Sequence, residues 1–459
     1  MKNNQKTAKK INLRKLSLAM VSLIIINGFA MAQDWPQFLG PERNSTSPQK
    51  NLLRTWPETG PEVLWTVNVG IGYGGPVVKD GKVYLSDRDD KTGDNLRCFD
   101  LATGKELWNH AYGIPGAVMF PGSRSVPAVD GNYVYSCGQY GDLCCIDINT
   151  HQPAWKANIW TDFGGELPEG GNPGFGGPFP TWAISQCPLV YGDLLIVASQ
   201  APQAGVVAYN KTTGTLKWKT PSLGSTGYVS PTIVKIDGND HLVMITASSG
   251  GRGGQELVPG NVVGIDPLKG NVLWKFTDWQ CGIPVPGAID AGNNQLLITG
   301  GYELGALMIK VEKKADGSYG TTEIFRTVEF GDQTKTPLFY KGHFYAEYGT
   351  NNRRDGMVCM NMKGEIMWKT KRDPDFNKGS MVLADGLILA TDGAKMLYLI
   401  EPDPTAFKPI SKAELLAEQK SDDPGASRFG TQNWAPIALA DGKLLIRDQS
   451  RMLCVKVVK

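Results

Sequence analysis

Short apolar runs separated by turn residues recur along most of the chain. The first such unit, residues 74–112, contains three apolar runs and a fourth that ends on Trp108. The pair Asp80-Gly81 separates the first two runs, and Asp-Gly between apolar segments is a strong signal for a tight β-hairpin. The unit is therefore predicted to be one antiparallel sheet of four short strands.

Equivalent turns repeat this unit along the rest of the chain. They lie at Asp130-Gly131, Tyr191-Gly192, Asp237-Gly238, 290–294, Lys341-Gly342, Asp385-Gly386 and Asp441-Gly442. A single small sheet cannot bury both faces, and units spaced by about 40 to 60 residues bury them by stacking around an axis. The predicted fold is all-β: an eight-bladed β-propeller with four-stranded antiparallel blades.

The two ends of the chain are predicted to share the last blade. The final unit, 433–459, stops after its third strand, whereas residues 62–69 (EVLWTVNV) resemble a fourth strand whose Leu64-Trp65 matches Leu107-Trp108. Pairing these segments hides an open sheet edge and closes the ring. The predicted organisation is a signal peptide at 1–32, a leader at 33–61 and a propeller domain at 62–459.

The N-terminal segment has the pattern of a secretory signal. Six Lys or Arg residues precede an apolar run that ends at Ala30-Met31-Ala32, which predicts cleavage after Ala32 and a periplasmic or secreted protein. Without this segment the chain has 41 basic and 45 acidic residues. That balance gives no basic surface for nucleic acid, and no later stretch is apolar enough to cross a membrane.

One face of the propeller is predicted to carry the long connections. They are residues 86–95, 111–125, 161–181, 247–261, 347–356 and 401–432. Long loops on a rigid scaffold are the usual place for binding, so we expect a binding site on this loop-rich face. The Gly- and Pro-rich stretch 163–180 is interpreted as a surface loop packed by Phe163, Phe175 and Phe179, in preference to a flexible lid. Residues 412–417 are predicted to form a short helix.

Cysteine usage is divided between two groups. Four residues occupy one equivalent position in the third strand of their units, where other units have Ala208 or Gly264, and they are Cys98, Cys145, Cys359 and Cys454. A position shared by Cys, Ala and Gly indicates a small buried packing site. Pairing among Cys137, Cys144, Cys187 and Cys281 is left open.

Candidate binding residues on the loop-rich face come from three chemical types. Arginines hold anions by bidentate hydrogen bonds, tryptophans stack on planar rings, and carboxylates supply calcium ligands or a general base. None of the four histidines lies on this face, which disfavours a Ser-His-Asp hydrolase or a His-rich zinc site. No metal site is assigned, and the candidates are Arg124, Trp182, Arg252, Trp279, Glu303, Arg353, Arg354, Trp434, Arg447 and Asp448.

The aligned third and fourth strands carry a family resemblance. The segments CFDLATGKELW, AYNKTTGTLKW and GIDPLKGNVLW resemble the tryptophan-docking repeats of the quinoprotein-type (PQQ-like) β-propellers. The opening DWPQF, with Gly40-Pro41 after it, resembles the leader of a group of exported bacterial proteins with this repeat. The resemblance implies the propeller fold, with Trp and Thr-Gly locking neighbouring blades together.

Two functional classes share this repeat. Non-catalytic propellers, similar to outer-membrane assembly lipoproteins, use their loops to hold proteins or ligands, although this chain lacks their lipid-attachment Cys. Quinoprotein dehydrogenases bind pyrroloquinoline quinone (PQQ) and calcium, use an Asp base and stack the quinone between a Trp and a vicinal disulfide. The adjacent Cys144 and Cys145 fall inside a strand instead of a loop.

The sequence therefore predicts an exported binding or scaffold module that acts through the loop-rich face. The expected ligand is a protein, a small molecule or a glycan, and no cofactor is expected. The alternative is a PQQ-dependent alcohol or sugar dehydrogenase that holds PQQ and calcium.

Overall fold

The computed structural model describes residues 33–171, 174, 177–250, 256–349, 353–418 and 430–459. These residues form eight sheets, each built mainly from antiparallel strands adjacent in sequence, with N-terminal strands added to two of them. First strands of neighbouring sheets contact one another, whereas fourth strands have many exposed positions. The sheets are therefore the blades of a propeller around a central axis, and the predicted fold is confirmed.

The first four blades follow the order of the units in the sequence. Their strands are Val77–Lys79, Lys82–Asp89, Gly93–Asp100 and Glu106–Tyr112 in blade 1; Ala128–Asp130, Tyr133–Cys137, Asp142–Asp147 and Gln152–Asn158 in blade 2; Leu189–Tyr191, Leu194–Val197, Val207–Asn210 and Leu216–Lys219 in blade 3; and Thr232–Ile236, Asn239–Ile245, Gly260–Ile265 and Val272–Trp279 in blade 4. Short 3₁₀ helices at Thr161–Phe163 and Glu169–Gly171 interrupt the loop after blade 2.

The remaining blades continue the order and end with the ring closure. Their strands are Ile289–Asp290, Gln295–Gly300, Gly305–Lys313 and Tyr319–Thr327 in blade 5; Leu338–Tyr340, His343–Gly349, Arg354–Asn361 and Ile366–Lys369 in blade 6; Ser380–Ala384, Leu387–Thr391, Met396–Glu401 and Lys408–Glu414 in blade 7; and Ala438–Ala440, Lys443–Arg447, Arg451–Lys456 and Val63–Asn68 in blade 8. The N-terminal strand Val63–Asn68 pairs antiparallel with Arg451–Lys456, as predicted.

Two features of blade 7 differ from the sequence prediction. The predicted helix at 412–417 is wrong, because Lys408–Glu414 is the outer strand, with Ala413 buried between the exposed Lys412 and Glu414. This alternation matches a strand lying on the blade, and pairing with Met396–Glu401 overrides local helix preference. Blade 7 also has a fifth strand, Thr46–Ser47, parallel to its inner edge.

Aromatic residues of the outer strands lock several blades to the next. Gly104 has φ 72°, and a Cβ atom there would lie 2.7 Å from the ring of Trp65, which reaches across from blade 8. The Trp65 indole also donates a hydrogen bond to the carbonyl of Leu101 at 2.9 Å. In blade 5, Phe325 packs against Gly364 of blade 6, which confirms that it takes the place of Trp.

The equivalent third-strand position lies opposite the docking aromatic of the same blade. Cys98 is the cross-strand partner of Trp108, and all four cysteines at this position are buried. In blade 5 the larger Met308 faces the smaller ring of Phe325, so the combined volume is preserved. The small packing site is confirmed, and all eight cysteines are buried free thiols, so Cys137, Cys144, Cys187 and Cys281 are not paired.

The leader enters the centre of the ring. Residues 35–47, called the plug below, contact the first strands of blades 1, 2 and 7 and the start of the first strand of blade 3. The hydrogen bonds join Trp35 to Val78, Pro36 to Val129, Arg43 to Cys187 and Pro188, and Ser45 to Leu383. Because first strands surround the axis, the plug lies in the central channel.

Candidate functional site: a blind pocket on the loop-rich face

A pocket of about 460 Å³ lies at the axis on the loop-rich face. Met119, Phe120 and Trp182 reach its wall from long loops, and Tyr302 reaches it from the turn between the second and third strands of blade 5. Phe38 of the plug lines the pocket as well. The plug therefore closes the central channel below the pocket, which is blind instead of open at both ends.

Most of the wall comes from a repeated segment that precedes the first strand of each blade. In most blades a proline lies shortly before the start of the first strand. The residue three positions before this proline lines the pocket in six blades, namely Tyr73, Arg124, Ser185, Tyr228, Ile283 and Thr334. In blade 7, Met381 replaces the proline, and Lys378 occupies the equivalent position. Seven of the blades thus present one variable side chain from this position to the axis. The spacing from the proline is the sequence signal that identifies Tyr73 and Tyr228.

Aromatic rings form two parts of the wall. Trp434 of blade 8 lies between Tyr73 and Phe120, with ring centroids 5.7 and 6.1 Å away. On another side Trp182 meets Tyr228 edge to face at 5.6 Å. These rings supply faces on which a planar ligand can stack.

Two lysines place positive charge on the wall at blades 6 and 7. The Lys378 ammonium lies 4.6 Å from the ring centroid of Trp434, and Lys335 lines the pocket next to Thr334 and Thr336. Burial lowers the pKa of each ammonium to about 8. Among the described residues, neither lysine forms an ion pair, and no Asp or Glu lines the pocket. This part of the wall is therefore cationic on its pocket side, and the carboxyl groups that act on Lys335, those of Asp332 and Glu347, lie behind it and do not line the pocket.

Arg124 shapes the pocket by holding its own loop. Its guanidinium donates hydrogen bonds to the carbonyl groups of Gly122 at 2.8 Å and Met119 at 2.6 Å, and to that of Phe120. It also lies 5.8 Å from the ring centroid of Tyr73. Burial lowers the pKa of Arg124. Since its donors are committed to carbonyl groups, Arg124 positions the aromatic wall.

The structure brings together some of the ten sequence candidates and separates others. Arg124, Trp182 and Trp434 meet at the pocket. The other described candidates do not line the pocket. Trp279 is buried at the end of blade 4, and Glu303 is exposed beside Tyr302. Arg353 and Arg354 form ion pairs with Glu329 and Asp375, Arg447 donates a hydrogen bond to the carbonyl group of Gly70, and Asp448 accepts one from Arg451. Arg252 lies outside the described residues.

The Gly- and Pro-rich loop is packed instead of standing free. Phe163 and Phe179 are both buried, and Phe179 contacts the rings of Trp160 and Tyr140 at 5.4 and 5.7 Å. This agrees with the interpretation of 163–180 as a packed surface loop, while Phe175 lies outside the described residues.

A second, much smaller cavity of about 10 Å³ lies behind Lys335. Asp332 and Glu347 line it and are almost completely buried. Asp332 accepts the backbone N–H groups of Thr334 and Lys335 at 2.9 and 2.8 Å, and Oε2 of Glu347 accepts that of Gly379 at 2.6 Å. Burial raises the pKa of Asp332 to about 6 and that of Glu347 well above its usual value. No sequence pattern indicates this carboxyl pair.

The free energy of unfolding is expected to depend on pH through Asp332. Its folded pKa of about 6 exceeds the usual value of about 3.9, so its stabilising contribution is complete below about pH 4 and is lost as the pH rises through about 6. At 1.36 kcal/mol per pKa unit this amounts to about 3 kcal/mol. In urea unfolding across this range, Asp332→Asn should show a smaller decrease than the wild type. The exposed Glu312→Gln should keep the wild-type slope; parallel curves for Asp332→Asn and wild type would contradict the assignment.

The geometry defines a class: a closed eight-bladed propeller with a plugged channel and a blind axial pocket. Residues 92–277 match the family model described as "Outer membrane protein assembly factor BamB". This part of the chain carries the PQQ-like β-propeller repeat, as the docking repeats predicted. No curated protein matches the sequence.

Solved structures share the fold at low sequence identity. BamB from Moraxella catarrhalis has a TM-score of 0.53 and 12% identity, covering 86% of this chain and 96% of that one. A europium-containing methanol dehydrogenase has a TM-score of 0.60 and 14% identity, with coverages of 92% and 89%. Quinohemoprotein alcohol dehydrogenase from Comamonas testosteroni has a TM-score of 0.63 and 14% identity, with coverages of 93% and 80%.

The pocket residues do not fit the calcium and disulfide of a quinoprotein dehydrogenase. Calcium requires several oxygen ligands, usually including carboxylates, yet the pocket wall has none within the described ranges. In the same part of the chain, no three His, Cys, Asp or Glu residues converge as a metal site. Cys144 and Cys145 belong to separate hydrophobic clusters on the two faces of blade 2. No reaction step through PQQ or calcium is therefore assigned.

Proposed function

We propose that this protein is a binding module that takes a small anionic ligand with a planar, apolar body into the axial pocket. The observation that carries the proposal is the cationic wall of Lys335 and Lys378, which faces a pocket otherwise lined mostly by aromatic and other apolar side chains. The closed floor and the open mouth on the loop-rich face give the ligand one route of entry.

Size and chemistry both restrict the ligand. Small-molecule pockets commonly have volumes of roughly 300 to 1,000 Å³, and this one has about 460 Å³. Trp434 and Trp182 provide stacking surfaces on different sides. A carboxylate or phosphate group on the ligand would supply a counter-ion for Lys335 and Lys378 inside the pocket, in surroundings where charge pairing is strong.

The alternative functions have weaker support from the residues. The methanol and alcohol dehydrogenases share the fold, but the pocket has no carboxylate for a general base within the described ranges. A protein-scaffolding role has support from the BamB family model. Such a partner would cover the pocket mouth, where Met119 and Tyr302 are exposed.

We also infer that the protein is exported to the periplasm or beyond. The support is the charged, apolar and small-residue order of residues 1–32. The described part of the chain has no helix of the length and apolar character needed to cross a bilayer.

Replacing Lys378 with Met is expected to weaken the binding of 2-naphthoate, a planar carboxylate used as a probe. Loss of a charge-assisted contact costs about 1.5–3 kcal/mol, or roughly 10- to 100-fold in Kd. Quenching of Trp fluorescence measures the affinity, because Trp434 and Trp182 line the pocket. Lys363→Met, at an exposed lysine in a tight turn, is the matched control and should bind as the wild type does.

Two results would contradict the proposed function. If the wild type and Lys378→Met bind 2-naphthoate with equal affinity, the cationic wall does not take part in ligand recognition. If the protein binds PQQ saturably in the presence of calcium and then reduces a dye with alcohols or sugars as substrates, it is a dehydrogenase and not a binding module.

A further inference from the structure

We propose that Lys335 captures aldehyde or ketone ligands as a reversible imine, so that the pocket binds anionic carbonyl compounds covalently. This inference rests on the proposed function, because the same pocket must first admit the ligand. It adds a nucleophile and a proton donor to what is otherwise a site of stacking and charge pairing.

Lys335 lies where the two cavities meet. It lines both the axial pocket and the small cavity that contains Asp332 and Glu347. Its backbone N–H donates to Asp332 at 2.8 Å, which fixes the start of the side chain. Among the described residues, the one hydrogen-bond partner of its ammonium is the hydroxyl of Thr334, at a long 3.4 Å. The amine is therefore held at the pocket wall without a strong partner.

The buried carboxyl pair supplies the proton chemistry that imine formation requires. Glu347 is 1% exposed, and within the described ranges its Oε1 atom has no hydrogen-bond partner. Burial raises the pKa of this carboxyl group well above its usual value, which favours the protonated form that a general acid requires. Asp332, with a pKa of about 6, is ionised at neutral pH and can accept the proton that the amine loses.

The reaction balances without an oxidant or a second substrate. The neutral amine of Lys335 adds to the carbonyl carbon, forming a C–N bond, while the carbonyl π pair moves to oxygen and takes a proton. Water then leaves as the second C–N bond forms, and the amine hydrogens end on that water. The products are one imine and one water, and hydrolysis reverses the step.

The surroundings of Lys335 also make its amine more reactive than the amines of surface lysines. An exposed lysine has a pKa near 10.4, whereas that of Lys335 is about 8, so at pH 7.5 its neutral fraction is roughly a hundredfold greater. Lys378 has a similar pKa but lies against the ring of Trp434 and does not line the small cavity with the carboxyl pair. Lys378 is therefore the discriminating comparison within the pocket.

The test is reductive trapping of the mature chain with 4-carboxybenzaldehyde and cyanoborohydride, followed by peptide mapping. We expect saturable labelling at Lys335, at least roughly tenfold faster than at the exposed Lys363. Lys335→Arg should abolish it, whereas Lys378→Arg, which keeps the charge, should retain it. Equal labelling of surface lysines, or labelling centred on Lys378, would overturn the assignment.

A second variant tests the proton donor separately from folding. Glu347→Gln should slow trapping about tenfold or more, the low end of the usual general-acid contribution, while leaving the affinity for 4-(hydroxymethyl)benzoate unchanged. This analogue has the same shape and charge but cannot form an imine. If a folded Glu347→Gln variant is trapped at the wild-type rate, Glu347 does not act as the proton donor.

The same analogue separates failure of the imine from failure of the pocket. If 4-(hydroxymethyl)benzoate binds and Lys335 is never labelled, the imine is wrong and the anion-binding function stands. If the analogue does not bind and Lys335 is labelled no faster than Lys363, both proposals are wrong.

Discussion

Deletion of residues 62–69 is expected to unfold the whole propeller instead of trimming one edge. The strand Val63–Asn68 is the outer strand of blade 8 and pairs with Arg451–Lys456. Its removal exposes an unpaired edge and leaves the first and last blades without their shared contacts. Circular dichroism with urea unfolding should show loss of the single native transition. A deletion variant with the wild-type transition would refute closure by this strand.

The contribution of ring closure to stability can also be measured at one side chain, that of Trp65. Trp65 is buried between blades 8 and 1, so Trp65→Ala is expected to lower the free energy of unfolding by about 3–5 kcal/mol. Trp65→Phe keeps a ring and loses the indole hydrogen bond to Leu101, with an expected cost of about 1 kcal/mol. The neighbouring Leu64 is exposed, and Leu64→Ala is the control, with an expected change within about 0.5 kcal/mol.

Trp35→Ala should have a comparable effect on stability and a second effect on binding. Trp35 is 2% exposed in the central channel, pairs with Val78 and packs under Gly40, where a Cβ atom would lie 2.8 Å from its ring. The expected loss is about 3–5 kcal/mol. Because Phe38 of the same plug lines the pocket, affinity for 2-naphthoate should also fall under conditions where the variant remains folded.

A matched control separates the plug from the rest of the leader. Asp34→Asn removes the partly exposed ion pair between Asp34 and Lys79, which is worth at most about 1 kcal/mol, and leaves Trp35 and Phe38 in place. It should bind 2-naphthoate as the wild type does. If Trp35→Ala is folded and keeps full affinity, the plug is not needed for the pocket floor.

The plug also explains why the leader differs from an ordinary terminal extension. Arg43 is buried and donates to the carbonyl groups of Cys187 and Pro188, and Ser45 pairs with Leu383. A segment that satisfies backbone groups of several blades at once restrains all of them. It therefore contributes both to closure of the ring and to the shape of the binding site.

Sequence reasoning found part of the pocket and missed the rest for a definable reason. Arg124, Trp182 and Trp434 were predicted because they lie in or beside long loops. Tyr73 and Lys335 lie in short segments that look like ordinary connections. They reach the site because those segments precede first strands, which surround the axis.

The order of residues alone determined the propeller, its eight blades, its closing strand and the aromatic docking. These features depend on contacts between near neighbours in sequence or on a unit repeated many times, so a turn such as Asp80-Gly81 and an aromatic such as Trp65 suffice to indicate them. Only the tertiary structure decided that the leader fills the channel and that Lys335 and Lys378 share a wall. Those contacts join residues far apart in the chain, and no local pattern encodes where eight separate segments meet.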